Sequence, residues 1–104
     1  MKVIYNKIIP FKGYKCINLF GVLFVRKGCT MRESDYNHEA IHTKQMKELL
    51  YVPFYILYIL EWLYRLIQKG NAYRSISFEK EAYNNENDMN YLDKREHFSW
   101  IEYI

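Results

Sequence analysis

Short apolar runs broken by single polar positions fill the first quarter of the chain. Residues 2–11 (KVIYNKIIPF) and 15–26 (KCINLFGVLFVR) are rich in β-branched and aromatic side chains. They predict two strands joined by a short connection around Gly13. Gly21, inside the second run, predicts a bulge or a close backbone approach, and Gly28 ends that run. From Ser34 onward the alternation disappears. Ser34 and Asp35 suit an N-cap, which predicts a helix over about 35–50. Pro53 lacks the N–H that would bond back to Leu49, so a kink or a new helix is expected there, running to about Gln68 and stopped by Gly70-Asn71. Ser75 and Ser77 offer caps for a third helix, about 77–90, with Glu79 and Glu81 in its first turn where the helix dipole favours negative charge. Residues 91–104 read as a short helix or an ordered tail tied down by Phe98, Trp100 and Ile101.

The longest uncharged run is Leu49–Leu60, twelve residues between Glu48 and Glu61. A membrane span needs about twenty apolar residues, and extension to Ile67 takes in Pro53, Glu61 and Arg65. Glu61 and Arg65 form an i,i+4 pair in the favoured order, a structural feature. A helix apolar on every face must be surrounded, and 104 residues hardly suffice to enclose one. A homodimer through this helix is the first expectation, because a span would bury both charges. Contact with a membrane surface is the second, favoured by the basic excess and by the interfacial preference of Tyr and Trp.

Length then sets the scale: 104 residues make one domain, 1–104. The fold class expected is α+β: a small antiparallel β-hairpin or sheet over 1–30, then about three packed helices in a metal-site region over 34–90, then a C-terminal tail over 91–104. Half the residues are apolar and 18% are aromatic, which excludes disorder as the main state. The excess of 15 Lys and Arg over 12 Asp and Glu, 15 − 12 = +3, is too small and too interspersed for a nucleic-acid binder. Cys16 and Cys29 match neither a disulfide framework nor a metal-binding pair, and read as reduced thiols. No apolar leader segment follows Met1, so the expected compartment is the cytoplasm, with membrane association through the apolar helix.

The chemistry lies in His38-Glu39-Ala40-Ile41-His42. On a helix, positions i and i+4 share a face, so both imidazoles can bind one cation without distorting the backbone. Glu39 sits about 100° around the helix, placed to reach a water on the metal. Two His ligands, an open coordination position and a nearby carboxylate base are what a zinc hydrolase needs. A catalytic zinc takes three protein ligands, and the downstream candidates are Glu79, Glu81, Glu86 and His97. His97 stands in a charged Lys94-Arg95-Glu96 context and reads as a surface residue. Glu79 and Glu81 point about 200° apart on a helix, so only one of them can face the metal. Gln45 shares the face of His38 and His42 and is a candidate for substrate contact. Asn37 is a candidate to cap or to orient a His. Tyr83 is the nearest oxyanion candidate by spacing.

An HExxH followed by a second helix bearing a Glu resembles the gluzincin arrangement of zinc metallopeptidases, small bacterial members included, over roughly residues 34–86. The segment Phe78-Glu79-Lys80-Glu81-Ala82-Tyr83 is similar to their third-ligand pattern, in which the Glu three residues before the Ala binds the metal. The resemblance implies Glu79 as third ligand, Ala82 as a point of close helix approach, and the strand at 15–26 as an edge that pairs with an extended substrate. Tyr83 stands where many relatives carry Asp or Asn. Glu86, seven residues after Glu79 on the same face, is then placed to orient a ligating His. The implied function is a metallopeptidase with one Zn2+ per chain on His38, His42 and Glu79. The metal lowers the pKa of its water, and Glu39 takes the proton and later protonates the leaving amine of a peptide or protein substrate. Two other classes are compatible with the same residues: a zinc-binding protein without turnover, and a metal-free helical interaction module.

Overall fold

The computed structural model describes residues 2–8, 15–68 and 70–104. The element order is β1 (Lys2–Asn6), β2 (Cys16–Leu19), β3 (Val22–Arg26), α1 (Glu33–Glu48), α2 (Val52–Leu66), α3 (Ala72–Ser75), α4 (Ser77–Asn85) and α5 (Tyr91–Lys94), then a 3₁₀ turn at Ser99–Tyr103. The α+β class stands, with a three-stranded sheet and five helices among the described residues.

The sheet is mixed rather than antiparallel. Its order is β1-β3-β2, with β3 antiparallel to β2 and parallel to β1. Residues 15–26 therefore fold as a hairpin, not as one strand. Phe20 and Gly21 both take left-handed φ values, +54° and +86°, the signature of a two-residue type I′ connection. Asn18 Oδ1 accepts the Gly21 N–H at 3.0 Å and clamps the turn. Gly21 is thus a hairpin corner, not a bulge. The connection expected at Gly13 lies outside the described residues. On β3, Leu23 and Val25 are fully buried. Ile41 of α1 is also fully buried.

Helix α1 begins two residues earlier than the caps suggested. Its N-cap is Arg32, and Asp35 lies inside the first turn. There Asp35 Oδ2 accepts the Arg32 N–H at 2.9 Å and pairs with Lys15 Nζ at 2.6 Å, fastening the helix start to the base of β2. Burial pushes this carboxyl up, but the hydrogen bonds from Lys15 and Arg32 outweigh it and hold Asp35 well below the usual carboxylate range. A depressed acid stabilises the fold above its unfolded pKa, about 3.9, and loses that contribution as pH falls through the folded value. Asp35→Ala should cost about 1 kcal/mol at neutral pH. Urea melts at neutral pH and at acid pH should show the difference between variant and parent shrinking on acidification.

Pro53 opens a new helix rather than kinking an old one. Leu50 and Tyr51 take left-handed φ values, +57° and +66°, and α2 leaves α1 at 110° with Pro53 in its first turn. The short helix α3 escapes sequence reasoning; Asn71 caps it by accepting the Arg74 N–H at 3.2 Å. Helix α4 ends at Asn85, short of the expected 90. Glu61 Oε2 accepts the Ser77 N–H at 2.7 Å and Oε1 its hydroxyl at 2.6 Å, so a carboxylate from α2 caps α4. The expected Glu61–Arg65 pair is present at 3.6 Å. The helical core is Met46, Phe54, Ile76 and Phe78. Trp100 closes it from the C-terminal tail, its ring centroid 4.8 Å from that of Phe78.

Candidate metal centre

His38 and His42 project from one face of α1 into the space between α1 and α4. Both are nearly buried, and so is Glu79, which enters from the first turn of α4. Glu79 Oε1 lies 3.1 Å from His38 Nε2 and 3.0 Å from His42 Nε2, and the two Nε2 atoms are 3.2 Å apart. Three donor atoms from three side chains thus form a nearly equilateral triangle, and the His38–His42–Glu79 group can hold a metal ion.

Each corner of the triangle is fixed from behind. His38 Nδ1 faces Glu86 Oε1 at 2.9 Å and His42 Nδ1 faces Gln45 Oε1 at 2.8 Å. Each acceptor oxygen holds the proton on Nδ1 and leaves Nε2 for the centre. Glu79 Oε2 accepts the Tyr58 hydroxyl at 2.6 Å, which leaves Oε1 for the imidazoles. Glu86 therefore occupies the orienting position expected of it. Asn37 acts indirectly: its amide donates to the Asn85, Glu86 and Asp88 carbonyls at 3.3, 2.9 and 3.0 Å, which closes the end of α4 and fixes the backbone that carries Glu86.

The other acidic candidates lie elsewhere. Glu81 is fully buried and pairs with Arg95, while its Oε2 accepts the Tyr91 hydroxyl at 2.6 Å. The side chain of His97 is 71% exposed and pairs with Glu48 at 3.1 Å. Gln45 does not face the cleft; it is fully buried. Its amide N–H groups donate to the Phe78 carbonyl at 3.0 Å and to Glu81 Oε1 at 2.9 Å. Because both partners only accept, the amide orientation is settled and its oxygen must face His42. A periodicity argument places Gln45 on the histidine face but does not separate an open cleft from a helix contact.

Beside the triangle lies a cleft of about 680 Å³. One wall is β2, an edge strand of the described sheet. The other is α2, through Phe54, Tyr55 and Tyr58; Glu39, His42 and Glu79 border the floor. Glu39 is half-buried, and burial raises its carboxyl above the ordinary value although His42 and His38 pull it down. Its backbone carbonyl is held by Asn18 Nδ2 at 3.0 Å. Burial lowers His42, but the Glu79 carboxylate outweighs it and raises the imidazole to about 9. Burial likewise raises Glu79, while His42, His38 and Tyr58 overcome it and hold that acid well down. Cys16 lines the cleft as a free thiol pushed up to about 12, chiefly by burial, and so stays protonated.

Tyr83 packs its ring edge-on to His38 with centroids 4.6 Å apart and stacks under Arg74 at 4.0 Å, away from the cleft lining. Tyr58 and Tyr73 line the cleft instead. Both belong among the site residues that sequence reasoning missed. Tyr58 sits inside the apolar run, one of eleven tyrosines, with no spacing signal to single it out. No family model matches the chain, and neither a curated protein nor a solved structure matches it.

Proposed function

We propose that the chain is a minimal zinc metallopeptidase, with His38, His42 and Glu79 as metal ligands and Glu39 as general base. The observation that carries this reading is the size of the donor triangle. Ligands about 2.0–2.1 Å from a tetrahedral zinc stand roughly 3.3 Å apart, and the three edges measure 3.0–3.2 Å. A nitrogen, nitrogen, carboxylate set suits zinc. Three donors, rather than four, converge among the described residues, which favours an open catalytic position over a closed structural one.

Zinc in that position would acidify a bound water and polarise a carbonyl. The rest falls to the protein. Glu79 and the two imidazoles would hold the ion, the carboxylate offsetting one of its two charges. Glu39, its pKa raised by burial, is suited to take a proton from the nucleophile and pass it to the leaving amine. β2 is an edge strand of the described sheet and borders the cleft, so an extended peptide can lie along it, and the apolar walls Leu19, Met46 and Phe54 suit a bulky apolar side chain next to the cleaved bond.

Glu39→Gln tests the assignment. The amide keeps the shape but takes no proton, so the variant should retain one zinc per chain by elemental analysis and lose hydrolysis of a peptide library by 100-fold or more, on the order of a general base's contribution. Loss of zinc from a folded Glu39→Gln protein would count against the role. A wild type that holds zinc and cleaves nothing would favour a zinc-binding protein without turnover.

A further inference from the structure

Helix α2 is turned inside out. Its inward stripe carries Phe54 and then the polar groups of the helix. The Tyr55 hydroxyl donates to the Asn18 carbonyl at 3.1 Å, Tyr58 donates to Glu79, and Glu61 caps α4 while pairing with Arg65. The outward face, from Val52 to Ile67, holds only apolar and aromatic residues. Ile56, Ile59, Leu60, Leu63 and Leu66 are each 50–56% exposed, and Ile67 is 83% exposed. At 100° per residue this face covers about half the circumference of the helix or more. It continues past the N-terminal end of α2 onto Leu50, 79% exposed. It also reaches the hairpin tip, where Phe20 is 56% exposed and stands 5.2 Å from Tyr55, ring to ring. Contiguous exposed apolar residues along the whole length of α2 go beyond the singly scattered ones that are normal on a soluble monomer.

We propose that α2 and the tip of the β2–β3 hairpin dock onto the interface of a lipid bilayer, with α2 lying in the membrane plane. The breadth of the face decides between lipid and a second copy of the chain. The apolar arc is wider than the stripe of about 100° or more by which a surface helix typically packs on its own core, and acyl chains conform to the whole of it. The charges inside the apolar run, which favoured a dimer on sequence grounds, no longer oppose lipid. Glu61 and Arg65 point inward and pair there, so neither has to enter hydrocarbon. Fifteen residues of α2 extend about 22 Å, short of the roughly 30 Å hydrocarbon core. No helix among the described residues is long and apolar enough to cross a membrane. The helix therefore lies in the surface rather than spanning it. Trp62 and Tyr64, exposed on α2, are the residue types that settle at headgroup level. Because α2 also walls the cleft, docking places the candidate metal centre beside the lipid.

Docking does not depend on catalysis, and its test is separate. The full chain is mixed with vesicles of phosphatidylcholine and phosphatidylglycerol and floated on a density gradient. It should rise with the lipid. Its tryptophan emission should shift to the blue and be quenched by brominated phosphatidylcholine, and Trp62→Phe should remove most of that response. Ile56→Gln/Leu60→Gln/Leu63→Gln, all surface changes, should reduce vesicle partitioning by about tenfold or more while circular dichroism and metal content stay as in the parent. A protein that ignores vesicles, whether light scattering finds a dimer or a monomer, overturns the proposal. So does a triple variant that floats as well as the parent.

Discussion

His38→Ala and His42→Ala should each abolish stoichiometric zinc, and Glu79→Ala should do nearly the same. Each removes one corner of a triangle whose edges are 3.0–3.2 Å, and two remaining ligands do not fix a tetrahedral ion. The loss should exceed the 10–100-fold that removal of an outer partner brings, which is the range expected for Gln45→Ala and Glu86→Ala. Elemental analysis and competition with a chromogenic chelator give both numbers. Retention of full metal by the histidine variants would place the ion elsewhere. The metal-free centre also predicts a proton balance. Glu79 keeps His42 protonated up to about 9, and a ligating imidazole must be neutral. Zinc uptake at neutral pH should therefore release a proton, and apparent affinity should fall about tenfold for each pH unit below 9. Calorimetry in buffers of different ionisation enthalpy measures that proton directly.

The parts of this centre that the sequence makes legible are those set by helix geometry alone. His38 and His42 four residues apart had to share a face, and Glu86 seven residues after Glu79 had to share another. Glu79 itself came from resemblance to the gluzincin pattern, and the placement of α4 against α1 brings it to the two imidazoles. What escaped depends on contacts between distant segments. The parallel pairing of β1 with β3 leaves no local mark. The hairpin inside 15–26 was hidden because the residue before Gly21 is Phe20, not the Asn or Asp that flags a type I′ turn. Gln45 looked like a cleft residue because periodicity reports a face and not what covers it. The inward placement of Glu61 was invisible for the same reason: its partner, Ser77, sits sixteen residues away on another helix. These misses share one physical origin. Polar side chains buried by tertiary packing carry no signature in a one-dimensional pattern, and this small domain uses several of them to position its histidines.

The most consequential of those buried groups is Arg95, and Arg95→Ala should be the most destabilising single change in the C-terminal region. Its side chain is 4% exposed. Nη1 and Nη2 grip the Glu48 carboxylate at 2.9 and 3.0 Å, and Nη2 reaches Glu81 Oε1 at 3.0 Å. Burial pushes Glu48 up, but the Arg95 hydrogen bonds outweigh it and hold that acid below its ordinary range. Removing the guanidinium leaves the Glu81 carboxylate enclosed without a counter-charge and Glu48 with only the exposed His97 and the Phe98 N–H, which costs about 3–5 kcal/mol out of the roughly 5–15 kcal/mol typical of a domain. At 4–8 °C per kcal/mol for a chain of this size, Tm should drop by about 15 °C or more. Arg95→Lys should recover only part of this, because a point charge does not span both carboxylates as the planar fork does. The sign with pH follows from Glu48. Its depressed pKa stabilises the parent above about 4.3, and this contribution fades as pH falls, so the gap between parent and Arg95→Ala should narrow in acid. The site should register the loss as well. Glu81 orients Gln45, Gln45 holds the His42 tautomer, and zinc affinity of the folded fraction should fall by about 10–100-fold. A shift in Tm of only a few degrees would mean that Glu48 and Glu81 find water or each other's proton instead, and that Trp100 packing on Phe78, rather than this ion cluster, holds the tail against the metal-site helices.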